Sequence, residues 1–321
     1  MRAIAALIAL ACVRVAFAGE PLIVHQGIAH DALYDVCFDA RGGVAVGAAG
    51  VILESDVDGA GWTPAAAQPT TLALLGVACG EGRRIAVGQL GELFIDDGSG
   101  WRAVATGTEQ RLLAVALNRS GLAVAVGGFG SVLVSHDAGE RWEAPVFDWP
   151  TIVEDFADPH LYDVDVSDAG VITLVGEFGI VMRSEDAGKT WQRAYKGDAS
   201  LFGLHIDPSG EGYAVGQQGC ALRTVDGGAS WEQLASPVDA LLLDVWSAPG
   251  AGVLISGMRS MLHSDNEGQN WSAMEGADIA VGWYAALAPA TGSKRIISVG
   301  NEGRVLELPF FAANQGLQHN Q

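Results

Sequence analysis

Internal repetition constrains this chain more than any other feature. Val-Gly-x-x-Gly occurs as Val46-Gly47 with Gly50, Val87-Gly88 with Gly91, Val126-Gly127 with Gly130, Val175-Gly176 with Gly179, Val215-Gly216 with Gly219 and Val299-Gly300 with Gly303. A degenerate copy, Gly257 with Ser260, falls between the last two, which makes seven units. The leading glycines are 41, 39, 49, 40, 41 and 43 residues apart. That interval holds four short strands with their turns, the spacing of one blade of a β-propeller.

Each unit opens on a pair of bulky apolar residues followed by alternation: Leu33-Tyr34, Leu74-Leu75, Leu112-Leu113, Leu161-Tyr162, Leu201-Phe202, Leu242-Leu243 and Trp283-Tyr284. This pattern predicts the innermost strand of a blade. The second strand ends at Val-Gly, the two glycines are expected to supply positive φ in a tight turn, and a third apolar strand follows. Helical periodicity is absent outside the first residues, so the fold class is all-β: a seven-bladed β-propeller with blades of four antiparallel strands. The last unit stops after three strands. Pro21 to Gln26 is expected to supply the fourth, so that the N-terminal strand closes the last blade and no sheet edge is left open there. The propeller spans residues 19–309, and the polar tail 310–321 is expected to fray.

A second motif closes the first six units. It is clearest as Ser135-x-Asp137-x-Gly139-x-x-Trp142, Ser184-x-Asp186-x-Gly188-x-x-Trp191, Thr224-x-Asp226-x-Gly228-x-x-Trp231 and Ser264-x-Asn266-x-Gly268-x-x-Trp271. Looser copies place Asp58 before Trp62 and Asp97 before Trp101. The spacing lets a carboxylate accept backbone N–H groups across the turn while Gly takes positive φ and Trp buries its ring. Six of the nine tryptophans belong to it. It is similar to the Asp-box of bacterial-neuraminidase-type (BNR) repeats, which implies that these residues hold the fold together rather than act on a substrate. One carboxylate per turn is too few for a calcium array.

Charge and leader narrow the function. The chain carries 18 Lys plus Arg against 38 Asp plus Glu, a net −20. No nucleic-acid partner fits that balance, because the basic footprint it requires is missing. Residues 1–18, with Arg2, an apolar run to Val13 and Ala16-Phe17-Ala18, read as a secretory signal peptide. The run is too short to span a bilayer, so no integral membrane segment is expected after cleavage. Cys12 follows Ala9-Leu10-Ala11, a poor lipoprotein box. The remaining Cys37, Cys79 and Cys220 are too few and odd in number for a disulfide framework. Three buried thiols, or one bridge between Cys37 and Cys79 in equivalent parts of neighbouring repeats, both remain open.

Taken together, the repeated Val-Gly-x-x-Gly and Ser-x-Asp-x-Gly-x-x-Trp motifs behind a signal peptide resemble the photosystem II assembly/stability factor family, seven-bladed propellers of the Asp-box type. The likeness covers residues 21–308. It implies a non-enzymatic, monomeric scaffold without cofactor or metal, periplasmic, secreted or lumenal, whose partner is a membrane protein or complex. Family members acting on the photosystem are expected to use an Arg-rich face; here Lys appears only at 189, 196 and 294 and Arg is scattered, so a role outside photosynthesis stays open.

In a propeller the ligand face is built from the turns inside each Val-Gly-x-x-Gly and the connections into the innermost strands. That predicts a partner-binding rim of Gln89, Phe129, Glu177, Phe178, Gln217, Gln218, Met258, Arg259, Asn301 and Glu302. The 49-residue step adds an insertion with Trp149 and Phe156 among the acids Asp148, Glu154, Asp155 and Asp158. Two other readings are an accessory protein of an envelope transporter and a carbohydrate-binding propeller. The competing class is a sialidase-like glycoside hydrolase, which needs an arginine cluster and a Tyr nucleophile beside an acid. Arg111, Arg259 and Arg304 with Tyr34, Tyr162 or Tyr284 are its only material, and seven blades do not match the six of that class.

Overall fold

The computed structural model describes residues 20–80 and 82–309. The segment expected to be a signal peptide, with Cys12, and the tail 310–321 lie outside the described residues. Seven antiparallel sheets follow one another along the chain. The first blade has strands Leu33–Asp39, Gly42–Gly47, Ile52–Glu54 and Thr63–Pro64, and five of the others repeat this four-strand order from the channel outwards. In the last blade, Tyr284–Pro289, Arg295–Gly300 and Val305–Pro309 are completed by the N-terminal Leu22–His25, which pairs antiparallel with Val305–Pro309. The ring is therefore closed by its own two ends, as the truncated last repeat requires.

The third blade departs from the rule. Leu112–Leu117, Ala123–Gly127 and Val132–Ser135 form three strands, and the fourth is reduced to a single bridge between Val134 and Glu143. Chemistry explains the loss. In the second blade the outer strand continues with an N–H bond from Val104 to the Leu93 carbonyl. The corresponding residue of the third blade is Pro145, which has no N–H to donate, and the ladder ends there.

The second strand of each blade is almost wholly buried and mostly apolar, as in Val44-Ala45-Val46 and Val124-Ala125-Val126. Each sheet is packed between two others, so side chains pointing either way meet apolar neighbours. Every innermost strand carries a register shift after its first paired residue, between Leu33 and Asp35 in the first blade. Tyr34, Leu75, Leu113, Tyr162, Phe202 and Leu243 are the bulged residues, and all line the central channel. In the last blade the shift falls at Ala285. Tyr284, not Trp283, therefore occupies the buried first position of that strand, and the Trp283-Tyr284 pair is one residue out of step with the others.

The two glycines of Val-Gly-x-x-Gly have different reasons to be glycine. Gly216 is extended, with φ −170. It lacks a Cβ because that atom would lie 1.9 Å from the Ser200 carbonyl oxygen. Gly219 has φ +70, and its Cβ would meet the Val238 carbonyl oxygen at 1.9 Å. The positive φ expected of both glycines holds only for the second. It is shared by the residue before it, since Ala49, Leu90, Phe129, Phe178, Gln218, Arg259 and Glu302 all have φ between 53 and 58.

At the opposite face the turns close as the residue spacing demands. Ser135 Oγ donates to Asp137 Oδ1 and accepts the Gly139 N–H, both at 2.9 Å, Asp137 Oδ1 accepts the Arg141 N–H, and Trp142 Nε1 donates to the Gly139 carbonyl at 2.8 Å. The hydroxyl and backbone bonds recur around Asp186, Asp226 and Asn266. Trp191 and Trp231 donate as Trp142 does, whereas Trp271 Nε1 is buried without a partner. Two acids need correction. In the first blade Val57 holds the motif position, and the carboxylate accepting the turn N–H groups is that of Asp56, from Asp58 and Ala60, rather than that of Asp58. In the second, shortened turn Asp96 accepts from Gly98 and Gly100, leaving Asp97 only the Ser99 N–H and hydroxyl. Trp62 is buried against Phe38 and Trp101 packs on the neighbouring core.

Candidate functional site

Innermost strands run away from the face that carries the Val-Gly-x-x-Gly turns, so the channel mouth there is ringed by those turns and by the segments entering each blade. Rings from several blades meet around it. Phe129 packs edge-on to His160 at 4.9 Å, His160 lies 6.4 Å from Tyr162, and Tyr162 lies 4.6 Å from Phe202. Across the mouth Tyr34 stacks on Trp283 at 6.1 Å. Between blades two and four the surface opens into a groove of about 630 Å³, bordered by Leu72, Leu90, Arg111, Leu113, Phe129 and Tyr162.

This face is unusually apolar for so acidic a chain. Leu90 is 65% and Phe129 63% exposed, and Ile28, Met258 and Val281 are also open to solvent. Leu90 and Phe129 sit at the left-handed position of their turns. Such a backbone costs a residue with a side chain about 1 kcal/mol or more, which glycine would avoid. Arginine placement adds to the pattern. Every arginine from Arg41 to Arg304 takes part in an ion pair except Arg111 and Arg259, and both of these are exposed on the mouth face.

Below the mouth three inner strands carry half-buried carboxylates that line the channel. Asp35 accepts the N–H groups of Val36 and, from the next blade, Val77, both at 2.7 Å. Asp163 does the same with Val164 and Leu204, and Asp244 with Val245 and Leu287. The equivalent position of the next blade is Gly76, Gly203 or Ala286. These ties hold neighbouring blades together at the axis. Burial pushes the Asp35 and Asp165 carboxyls up to about 7 and raises Asp163 and Asp244 well above the usual carboxylate range, the last two also because the acids face one another.

The predicted rim residues divide by turn position. Phe129 and Arg259 lie open on the face, and Gln218 and Met258 with them. At the first variable position Met258 is exposed, but four others turn toward the entry of their own blade. Glu177 accepts the His160 N–H at 2.7 Å, Gln217 that of Ser200 at 3.3 Å, Gln89 that of Ala73 at 3.4 Å and Asn301 that of Trp283 at 2.8 Å. Each fastens the entry to its own blade; Glu177 is half-buried in doing so, and Gln217 stays exposed. Glu302 is held by Arg304, and Phe178 is half-buried against the core of the third and fourth blades. Trp149 is also a packing residue. It is buried, donates from Nε1 to the Gly130 carbonyl at 3.1 Å and stacks on Phe147 at 4.5 Å. Phe156 is fully exposed.

Sequence reasoning missed Leu90, Ile28, Val281 and the aromatic bulge residues as surface. The repeat held part of the signal: aligning the seven turns puts the large apolar Leu90, Phe129 and Phe178 at the second variable position, beside Gln218, Arg259 and Glu302.

Cys37 and Cys79 form a disulfide, with Cα atoms 5.6 Å apart, joining the innermost strands of the first two blades; Cys220 is free. Among the described residues no three His, Cys, Asp or Glu side chains converge as a metal site, and no helix is long and apolar enough to cross a membrane.

No protein-family model matches the sequence, and no curated protein does. Solved structures do share its fold. A structure described as YCF48 bound to D1 peptide superposes with a TM-score of 0.69 at 18% identity, covering 90% of this chain and 94% of that one. YCF48 from Cyanidioschyzon merolae gives 0.72 at 16% identity, over 90% of this chain and 98% of that one. The WD40 repeats of RRP9 give 0.70 at 12% identity, over 92% and 98%. At these identities the likeness is one of fold, shared by YCF48 and a WD40 protein alike.

Proposed function

We propose that the protein is an exported, non-enzymatic scaffold that receives a segment of a partner protein across its channel-mouth face, and that it serves as an assembly or stability factor for a membrane protein complex. One observation carries the reading: five of the nine large apolar side chains exposed among the described residues, Ile28, Leu90, Phe129, Met258 and Val281, share that face with Arg111 and Arg259, the two arginines there without an ion pair among the described residues. Apolar surface next to isolated, well-placed polar groups is what a peptide-binding face needs. A propeller of the same fold holding a peptide supports the mode of binding. The Cys37–Cys79 disulfide supports export, since such bonds persist in oxidising compartments.

Glycoside hydrolysis has little to work with. Arg304 is tied to Asp278 and Glu302, Tyr284 is buried with its hydroxyl on Asp278, and Arg111 and Arg259 stand three blades apart. No arginine cluster faces a free tyrosine. The aromatic run from Phe129 to Phe202 does favour a second reading, in which the face stacks on sugar rings.

The deciding experiment is affinity capture from an envelope extract with the wild-type protein, a Leu90→Ser/Phe129→Ser variant and, as a control on the opposite face, Val225→Ser. Loss of a membrane complex by about tenfold in the double variant alone is expected. Equal capture by all three sinks the assignment of the face. Retention on a glycan array without protein capture favours the sugar reading, and turnover of a glycoside overturns the scaffold.

A further inference from the structure

The insertion between Glu143 and His160 is the one segment that the propeller itself does not need. Its base is built like a core. Trp149 and Val153 in the helix Trp149–Val153 are buried, Phe147 stacks on Trp149 and meets Trp191 edge-on at 5.5 Å, and the Trp149 indole is fastened to Gly130. Arg193 of the fourth blade fixes the end of the helix, donating at 2.7 Å to the Ile152 carbonyl and to the Glu154 carboxylate. Five residues after Glu154 the chain is fastened again, where the Pro159 carbonyl accepts the Gly130 N–H at 2.7 Å.

Between these anchors the tip 155–158 presents Phe156 at 103% exposure, between the exposed carboxylates of Asp155 and Asp158. Asp155 Oδ1 accepts the Phe156 N–H at 2.6 Å, which fixes the backbone under the ring. A well-anchored base that carries a wholly unburied phenylalanine forgoes about 2 kcal/mol of burial. That arrangement has the form of an anchor residue awaiting its pocket. Neither tip carboxylate has a basic partner among the described residues, so the charge that would complement them must come from outside.

We propose that this insertion is a second docking element, separate from the channel mouth, in which Phe156 enters an apolar pocket of a partner protein whose rim supplies Lys or Arg to Asp155 and Asp158. The commitment is to a basic protein surface. A lipid surface or a second copy of this acidic chain would set like charge against these carboxylates or leave them without partners.

The test places the photo-crosslinking residue p-benzoylphenylalanine at position 156 of the full chain in cells, and at position 129 in a parallel strain, and maps adducts by mass spectrometry. The expected result at 156 is a protein adduct within a segment bearing Lys or Arg on both sides of an apolar stretch. With that purified protein, Asp155→Asn/Asp158→Asn should weaken binding about tenfold at 50 mM salt, and the difference should shrink at 500 mM as the charges are screened. Phe156→Ala should weaken it at both. An adduct to lipid or to this chain, no adduct at 156, or full affinity in the charge variant overturns the proposal. The adduct at 129 reports separately on the channel-mouth reading, so either surface can fail without the other.

Discussion

A single turn separates two kinds of backbone demand, and the fifth blade offers the cleanest measurement. Gln218 has φ +56 and is exposed. Replacing it with glycine removes a left-handed penalty of about 1 kcal/mol or somewhat more. The unfolded chain gains freedom that takes back about 0.4–1 kcal/mol. Gln218→Gly is therefore expected to leave stability unchanged or raise it by about 0.5 kcal/mol. Gly216, two residues earlier, has an ordinary extended backbone, and by φ alone alanine would fit. Its Cβ, however, would stand 1.9 Å from the Ser200 oxygen that accepts the Gln217 N–H at 2.9 Å. Relief requires moving the entry to the innermost strand, at the cost of that bond and of the 2.9 Å bond from the Gly216 N–H to the Cys220 carbonyl. Two backbone bonds at about 1 kcal/mol each, with overpacking of about 1–3 kcal/mol, put Gly216→Ala at about 3 kcal/mol or more destabilising. Urea midpoints of the two variants decide the matter. A neutral Gly216→Ala, or a Gln218→Gly that costs more than about 1 kcal/mol, would refute the division of roles in this turn.

Three further outcomes are expected. Burial holds the folded-state pKa of Asp35 and Asp165 near 7, above their unfolded value, so the folded protein binds more protons; stability should fall as pH rises from about 4 to 7 and level off above that. Urea unfolding across that range should show the slope, and Asp35→Asn should flatten part of it. Hydrogen bonds from Thr190 and Ser230 lower Asp186 and Asp226 to about 2, so their contribution is lost instead as pH falls below about 4, and thermal melts should locate the optimum between about pH 4 and 5. The Cys37–Cys79 bond closes a separation of 42 residues, which the chain-entropy relation values at about 4 kcal/mol; Cys37→Ser/Cys79→Ser should lose up to that amount, read from denaturation with and without reductant. Trp142→Phe and Trp271→Phe both give up part of the packed indole, but only the first also loses a donor bond, to Gly139, so it should cost about 1 kcal/mol more than the second in a urea titration.

Repeat number, blade order, ring closure and the motif turns were all legible in the residues, because each rests on local chemistry that recurs at a fixed interval. Val-Gly-x-x-Gly marks a place where backbone must pass close to backbone, and Ser-x-Asp-x-Gly-x-x-Trp supplies its own donors and acceptors. The binding face was only half legible. Spacing locates the turn, but the choice between Glu177, which turns in to hold His160, and Phe129, which turns out, depends on a left-handed φ at one position and not its neighbour. Likewise Trp149 and Phe156 look alike in a run of aromatics and acids, yet one is buried under Gly130 and the other meets only water.

What the sequence determined by itself is the repeating unit, since a blade's pattern is written within about forty residues. What only the tertiary structure decided is everything that depends on one blade meeting the next: the Cys37–Cys79 bond, the carboxylates that tie neighbouring inner strands, and the gathering of Leu90, Phe129, Arg111 and Arg259 on one face. The physical reason is that burial and partnership belong to pairs of residues far apart in the chain, and no local pattern records which of them the closed ring brings together.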